Sequence, residues 1–168
     1  MGSFVVEVDR PDAADVQALL GEHLAFARQV SPPGHVHALD VAGLLAGDLA
    51  FFSIRADGTL LGIGALRELD RRHGEVKSMH TARDARGRGV GRAMLGHLLG
   101  TARDRRYERV SLETGSMAAF APARALYAAA GFRPCAPFGD YLPSAYSVCL
   151  TLELGAAPGQ PAAARSSA

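Results

Sequence analysis

The chain has 168 residues, of which 48% are hydrophobic and 21% charged, with a net charge of +1 at pH 7. That length favours one domain with a sizeable buried core, and the near-neutral balance supplies no field that would call for nucleic acid or an anionic membrane. Two cysteines, Cys135 and Cys149, are too few for a disulfide framework and lack metal-ligand spacing, and no apolar run reaches the roughly 20 residues that span a bilayer. The N-terminus also lacks the basic-then-apolar layout of a secretory signal. Reduced thiols fit the same picture, a cytoplasmic protein that uses no metal, nucleic acid or membrane.

In chain order, Phe4 to Val8 reads as a short strand. Asp9-Arg10-Pro11-Asp12 supplies a cap and an early proline for a helix to about Arg28, with Val16, Leu19, Leu20, Leu24 and Ala27 as its apolar positions. Ser31-Pro32-Pro33-Gly34 breaks that helix, and a short one follows from about Asp40 to Ala46. Leu49 to Arg55 and Leu60 to Leu69 are strand-like runs around Asp57-Gly58, a hairpin signal because both residues tolerate positive φ. Glu75 to Thr81 is a further strand. Val90, Ala93, Met94, Leu98 and Ala102 then mark one face of a helix ending near Arg106. Val110 to Thr114 is a strand, and Ala118 to Ala130 a helix that tolerates Pro122 in its first turn and ends at Gly131. Phe132 to Cys135 and Tyr146 to Leu154 close the sheet. The order is β-α-α-β-β-β-α-β-α-β-β, an α/β (α+β) domain over residues 1–154 with a mixed sheet between helices. Residues 155–168, rich in Ala, Pro, Gly and Ser, read as a disordered tail.

The informative segment is Arg86-Gly87-Arg88-Gly89-Val90-Gly91, set between a strand and a helix. Glycines there let backbone approach an anion closely, and the helix start offers free N–H groups and a favourable dipole. A dinucleotide GxGxxG pattern fails, because Arg92 and Met94 stand where glycine would be needed, and no Walker Gly-Lys-Ser/Thr occurs. What fits is Arg-x-x-Gly-x-Gly at Arg86, Gly89 and Gly91, with Arg88 and Arg92 able to add charge-assisted contacts to phosphates. The same arginines with Arg83 form a basic cluster, but no aromatics interleave with them as a nucleic-acid surface would require.

This arrangement resembles the pyrophosphate signature of the GNAT N-acetyltransferases. Downstream, Leu126-Tyr127-Ala128-Ala129-Ala130-Gly131-Phe132 looks like that family's Leu-Tyr-x-x-x-Gly-Phe segment. From about Ser31 to Leu154 the chain resembles the uncharacterised YsnE-like branch. Val36 to Asp40, Gly74 to Met79, Leu112 to Gly115 and Phe138 to Tyr141 carry that likeness. It departs from the branch at Gly34-His35, where Glu and Ser are usual, and at Ser144-Ala145-Tyr146, where Asp-Pro-Asn is usual. The resemblance implies a GNAT fold with a mixed, mostly antiparallel sheet and acetyl-CoA as co-substrate. It also implies an amine acceptor on a small molecule or peptide, and a homodimer as one assembly. Carried over by position, Met79, His80, Thr81, Arg86, Gly87, Arg88, Gly89, Val90, Gly91, Arg92, Phe120, Ala123 and Tyr127 would bind the co-substrate. Tyr127 would also protonate the leaving thiolate.

An attacking amine must shed a proton, so the site needs a base near the middle of the sheet. Glu75 is the first candidate: it sits on the strand before the loop, and the resemblance implies the role, since its register to Arg86 is that of the base in the histone-acetylating members. Glu113 and His37 are alternatives, and a structural ion pair with Lys77 is the bland reading. Strand alternation places Glu75, Lys77, Met79 and Thr81 on one face and His80 on the other. Backbone N–H near Met79 or Thr81 is placed to polarise the thioester carbonyl. The 21–48 and 136–146 segments, with His37, Glu113, Asp140 and Tyr141, should border the acceptor. The alternative function is an acyl-CoA sensor that keeps the loop without turnover.

Overall fold

The structure, a computed structural model, describes residues 3–46 and 48–155; the tail expectation falls outside them from residue 156 onward. The elements are β1 (Val5–Val8), α1 (Ala14–Val30), α2 (Val41–Leu44), β2 (Leu49–Ala56), β3 (Thr59–Asp70) and β4 (His73–Thr81), then α3 (Val90–Asp104), β5 (Arg109–Gly115), α4 (Ala121–Ala129), β6 (Arg133–Pro134) and β7 (Ser147–Glu153). That is the order the sequence predicts. The strands form one sheet in the order β1-β2-β3-β4-β5-β7-β6. Every pairing is antiparallel except β4 with β5, so the sheet is mixed and mostly antiparallel as expected.

Two helix starts differ from the sequence reading. Helix α1 begins at Ala14 behind Ala13, with no side-chain cap. The acids meant for capping are engaged elsewhere: Asp12 pairs with Arg10 at 2.6 Å, and Asp9 with Arg55 at 2.9 Å. Arg55 also reaches Asp15 at 2.6 Å, which ties β2 to the first turn of α1. The expected helix from Ala118 splits into a 3-10 turn, Ala118–Phe120, and α4 with Pro122 in its first turn. The β2–β3 hairpin turns at Asp57 and Gly58, with φ of 47° and 77°.

Helices cover both faces of the sheet. On one face Val16, Leu19 and Leu20 of α1 pack against Phe51, Ile63 and Ala65. On the other, Met94, Leu95 and Leu98 of α3 meet Leu66, Val76 and Leu112, with Tyr127 and Phe132 completing the layer. Leu98 is wholly buried, and truncating such a side chain to alanine costs about 2–5 kcal/mol. These two apolar layers fix the central strands and leave their far ends free to shape a site.

Candidate active site

Strands β4 and β5 share only three register pairs, His73–Glu75 with Arg109–Ser111. Beyond them the strands diverge, and a cleft of about 580 Å³ opens, lined by Val76 to Thr81 of β4 and Glu113 to Gly115 of β5. A β-bulge shapes the β4 wall. Ala65 pairs with Lys77 and Ile63 with His80, so Gly64 alone faces Ser78 and Met79, and Ser78 takes φ of 53°. The extra residue inverts the facing of everything after it. His80 therefore shares the α1 face with Glu75 and Lys77, while Met79 and Thr81 turn to the α3 face. The expectation from unbroken alternation is corrected here: Met79 and Thr81 lie opposite Glu75, and His80 lies beside it.

The glycine-rich loop closes one end of the cleft. Gly89 caps α3 with φ of 85°, a left-handed conformation that an L side chain adopts only under strain. The first turn of the 15-residue helix thus presents its free N–H groups to the cleft. Of the residues expected to bind the co-substrate, Met79, His80, Thr81, Arg86, Gly87, Gly89, Val90, Gly91, Arg92, Phe120, Ala123 and Tyr127 all line the cleft. Arg88 is exposed and does not line the cleft. The wall between β5 and α1 depends on a second glycine. A Cβ on Gly115 would overlap the Phe120 ring, and Phe120 in turn meets Phe26 edge-on at 5.3 Å.

Tyr127 is 8% exposed and projects from α4 into the middle of the cleft lining. Burial, and then the nearby Glu113 charge, push its phenol up to about 12, so it keeps its proton at neutral pH. Among the described residues its hydroxyl meets only the Met79 sulfur, at 4.0 Å. Glu113 is partly buried on the opposite wall. Burial pushes its carboxyl up to about 7; Lys77 pulls it down and Glu75 adds to the rise. Glu75 itself is 2% exposed and lies behind the cleft lining. Its Oε1 accepts a hydrogen bond from the Tyr141 hydroxyl at 2.6 Å and another from Lys77 Nζ at 3.3 Å. Arg67 approaches its other oxygen at 3.9 Å.

The remaining candidates divide. His37 lines the cleft and meets the Tyr141 ring edge-on at 5.3 Å. Burial, then Lys77 and His35, lower its pKa. Tyr141 anchors the 136–146 loop through Glu75 and Lys77, and its phenol is raised by burial and by Glu75. Asp140 is exposed and stands apart from the lining. Cys135 and Cys149 are free, with both thiols raised by burial.

His23, Phe26 and Tyr146 also line the cleft; they lie in the 21–48 and 136–146 segments expected to border the acceptor, though the sequence reading does not single them out as site residues. A signal existed for the first two. They continue the buried stripe of α1 through Val16, Leu20 and Ala27, so a histidine at that spacing marks where the core gives way to a site. His23 Nδ1 lies 3.3 Å from His80 Nδ1, and burial lowers both rings to about 4. Both are neutral at physiological pH, one donating and the other accepting.

A family model described as "Acetyltransferase (GNAT) family" matches residues 17–132. The chain is 44% identical over 149 residues to the uncharacterised N-acetyltransferase YsnE of Bacillus subtilis (strain 168), covering 89% of this chain and 99% of that protein. Among solved structures it resembles a protein from Klebsiella pneumoniae assigned as an acyl-CoA N-acyltransferase, with a TM-score of 0.77 at 26% identity over 90% of this chain and 97% of the other. It also shares the fold of a GNAT family acetyltransferase from Elizabethkingia anophelis with acetyl-CoA bound, at a TM-score of 0.68 and 15% identity over 90% and 98% of the two chains. Among the described residues no helix is long and apolar enough to cross a membrane, and no group of three or more metal-ligating side chains gathers.

Proposed function

The chain belongs to the GNAT acetyltransferase family and is an acyltransferase; from that premise we propose that it moves an acetyl group from acetyl-CoA to a primary amine of a small molecule or peptide, by direct attack with both substrates bound. The observation that carries this reading is one cleft that brings together a glycine-rich helix start, a protonated phenol and a carboxyl titrating near neutrality. The lining fits acetyl-CoA in chemistry: helix N–H groups with Arg86 and Arg92 suit its phosphates, and Phe120, Ala123 and Leu126 give its pantetheine arm an apolar wall. Bound there, acetyl-CoA supplies an activated thioester.

The chain's own groups do the rest. The amine nitrogen forms a bond to the acetyl carbon as the carbon–sulfur bond breaks. Glu113 takes the amine's proton, and Tyr127 gives its proton to the departing sulfur. Water then returns the proton from one residue to the other, so the net products are an acetamide and free CoA thiol. Backbone N–H groups at the bulge around Met79 polarise the carbonyl while charge develops on its oxygen. Glu75 acts as a positioning residue, holding Lys77 and Tyr141 against the acceptor end. The cysteines take no covalent part, since burial keeps both thiols protonated and weakly nucleophilic.

The test is thiol release from acetyl-CoA across a panel of amines, amino acids and peptides, with wild type and a Cys135→Ala, Cys149→Ala double variant. Turnover that survives in the double variant is expected. Complete loss there, with acetyl-CoA still bound, points to an acyl-enzyme and overturns direct attack. Binding of acetyl-CoA without turnover on any acceptor favours the sensor instead.

A further inference from the structure

The cleft sets an ammonium and a carboxyl on facing strands with no salt bridge between them among the described residues. Lys77 on β4 and Glu113 on β5 both line it, yet Lys77 makes its ion pair with Glu75, at 3.3 Å. An ammonium has three donors. Two are spent, on Glu75 and on the Tyr141 hydroxyl at 2.6 Å, which leaves one for a ligand. Nor does Glu75 cancel the local positive charge, because Arg67 also stands 3.9 Å from it, one carboxylate between two cations. Among the described residues the buried Arg67 Nε has no hydrogen-bond partner, a further sign that this corner is short of anionic oxygen.

We propose that the acceptor is a small zwitterion of the amino-acid type, its amine directed to Glu113 and its carboxylate held by Lys77 Nζ. The inference rests on the acetyl-transfer reading and narrows it. A polyamine would bring a second cation against Lys77, and a peptide N-terminus carries an amide where the site offers an ammonium. The same cleft is lined by Phe26, His35, His37 and Tyr146, with the His35 and Tyr146 rings tilted against each other at 4.7 Å. As lining residues they give the cleft aromatic surface suited to an apolar or aromatic side chain.

The experiment is thiol release at saturating acetyl-CoA with free amino acids, beginning with phenylalanine and methionine. Each is compared with its carboxamide and its decarboxylated amine, and acetyl-CoA affinity is measured separately by calorimetry. Wild type should favour the free acids by at least about 10-fold in kcat/KM. Lys77→Met should raise KM for the acids by about 10- to 100-fold and close the gap to the carboxamides, with acetyl-CoA affinity unchanged. If Lys77→Met fails to fold, the acid-against-amide comparison on wild type decides alone. Equal or better turnover of the carboxamides or amines, or no turnover of any amino acid while acetyl-CoA binds, overturns the zwitterion and leaves cofactor binding standing. Failure to bind acetyl-CoA overturns the acetyl-transfer reading and this one with it.

Discussion

Replacing Glu113 with glutamine should lower activity and raise stability together. In the folded chain the Glu113 carboxyl is pushed from its ordinary 4.5 to about 7, chiefly by burial. The folded form therefore holds its proton to higher pH than the unfolded form, and the group costs stability as pH rises from about 4.5 through about 7. At about 1.36 kcal/mol per pH unit that gap sets a ceiling near ~3 kcal/mol; discounting for partial exposure leaves on the order of 2 kcal/mol. Glu113→Gln, neutral at every pH, should match wild type near pH 4 and exceed it by about 2 kcal/mol above pH 7. Its rate should fall by about 10²- to 10⁴-fold, and the rise of kcat/KM through pH 7 expected of wild type should vanish. Denaturant unfolding at pH 4 and pH 8, with a pH–rate profile by thiol release, reads both effects. A variant within threefold of wild-type rate that keeps the inflection would refute Glu113 as the base. Unchanged stability at pH 8 would refute the desolvation on which its raised pKa depends.

Tyr127→Phe should lower kcat by about 100-fold with little change in acetyl-CoA affinity. Because its hydroxyl meets only the Met79 sulfur, stability should stay within about 1 kcal/mol; a kcat within threefold of wild type would remove the acid role. Gly89→Ala places a Cβ at φ of 85°, a strain of about 1–2 kcal/mol, and calorimetry should show acetyl-CoA binding weakened by about tenfold; unchanged affinity would mean the loop does not seat the phosphates. Arg55→Met removes the partner of Asp9 and Asp15. Asp15 is held below its ordinary 3.8 by the Arg55 hydrogen bond, so its stabilisation is full above about pH 4 and lost as pH falls through the folded value. Acid unfolding followed by circular dichroism should therefore begin at higher pH in the variant, and an unmoved acid limb would show the pair contributes nothing.

Elements whose signals are local were legible in the sequence. The Asp57-Gly58 turn, the apolar stripe of α3 and the glycine loop each depend on neighbours within a few residues, and each lies where it was read. The departures come from contacts made across the fold. Asp12 and Asp9 could cap α1 by type, but arginines engage both. The bulge at Ser78 has no composition signal, because a serine at positive φ is imposed by the β3 pairing rather than chosen by its own propensity. The same holds at the site. Tyr127 and the loop were found through motif spacing, whereas the burial of Glu75 and the placement of Glu113 in the cleft depend on how far β4 and β5 diverge. That divergence is a property of two strands together.

The bulge also makes β4 a strand with two parities. Up to Lys77 the odd positions serve the α1 face; beyond Met79 the even ones do. Substitution within either half alters one side chain and leaves the rest facing as before. Deleting Ser78 would set Met79 directly opposite Gly64 and restore plain alternation without turning any side chain over: Met79 would still face Tyr127, and His80 would still face His23. The facing of each wall residue is thus set by its partner on β3, and the extra residue adds only length and a local bend to the strand.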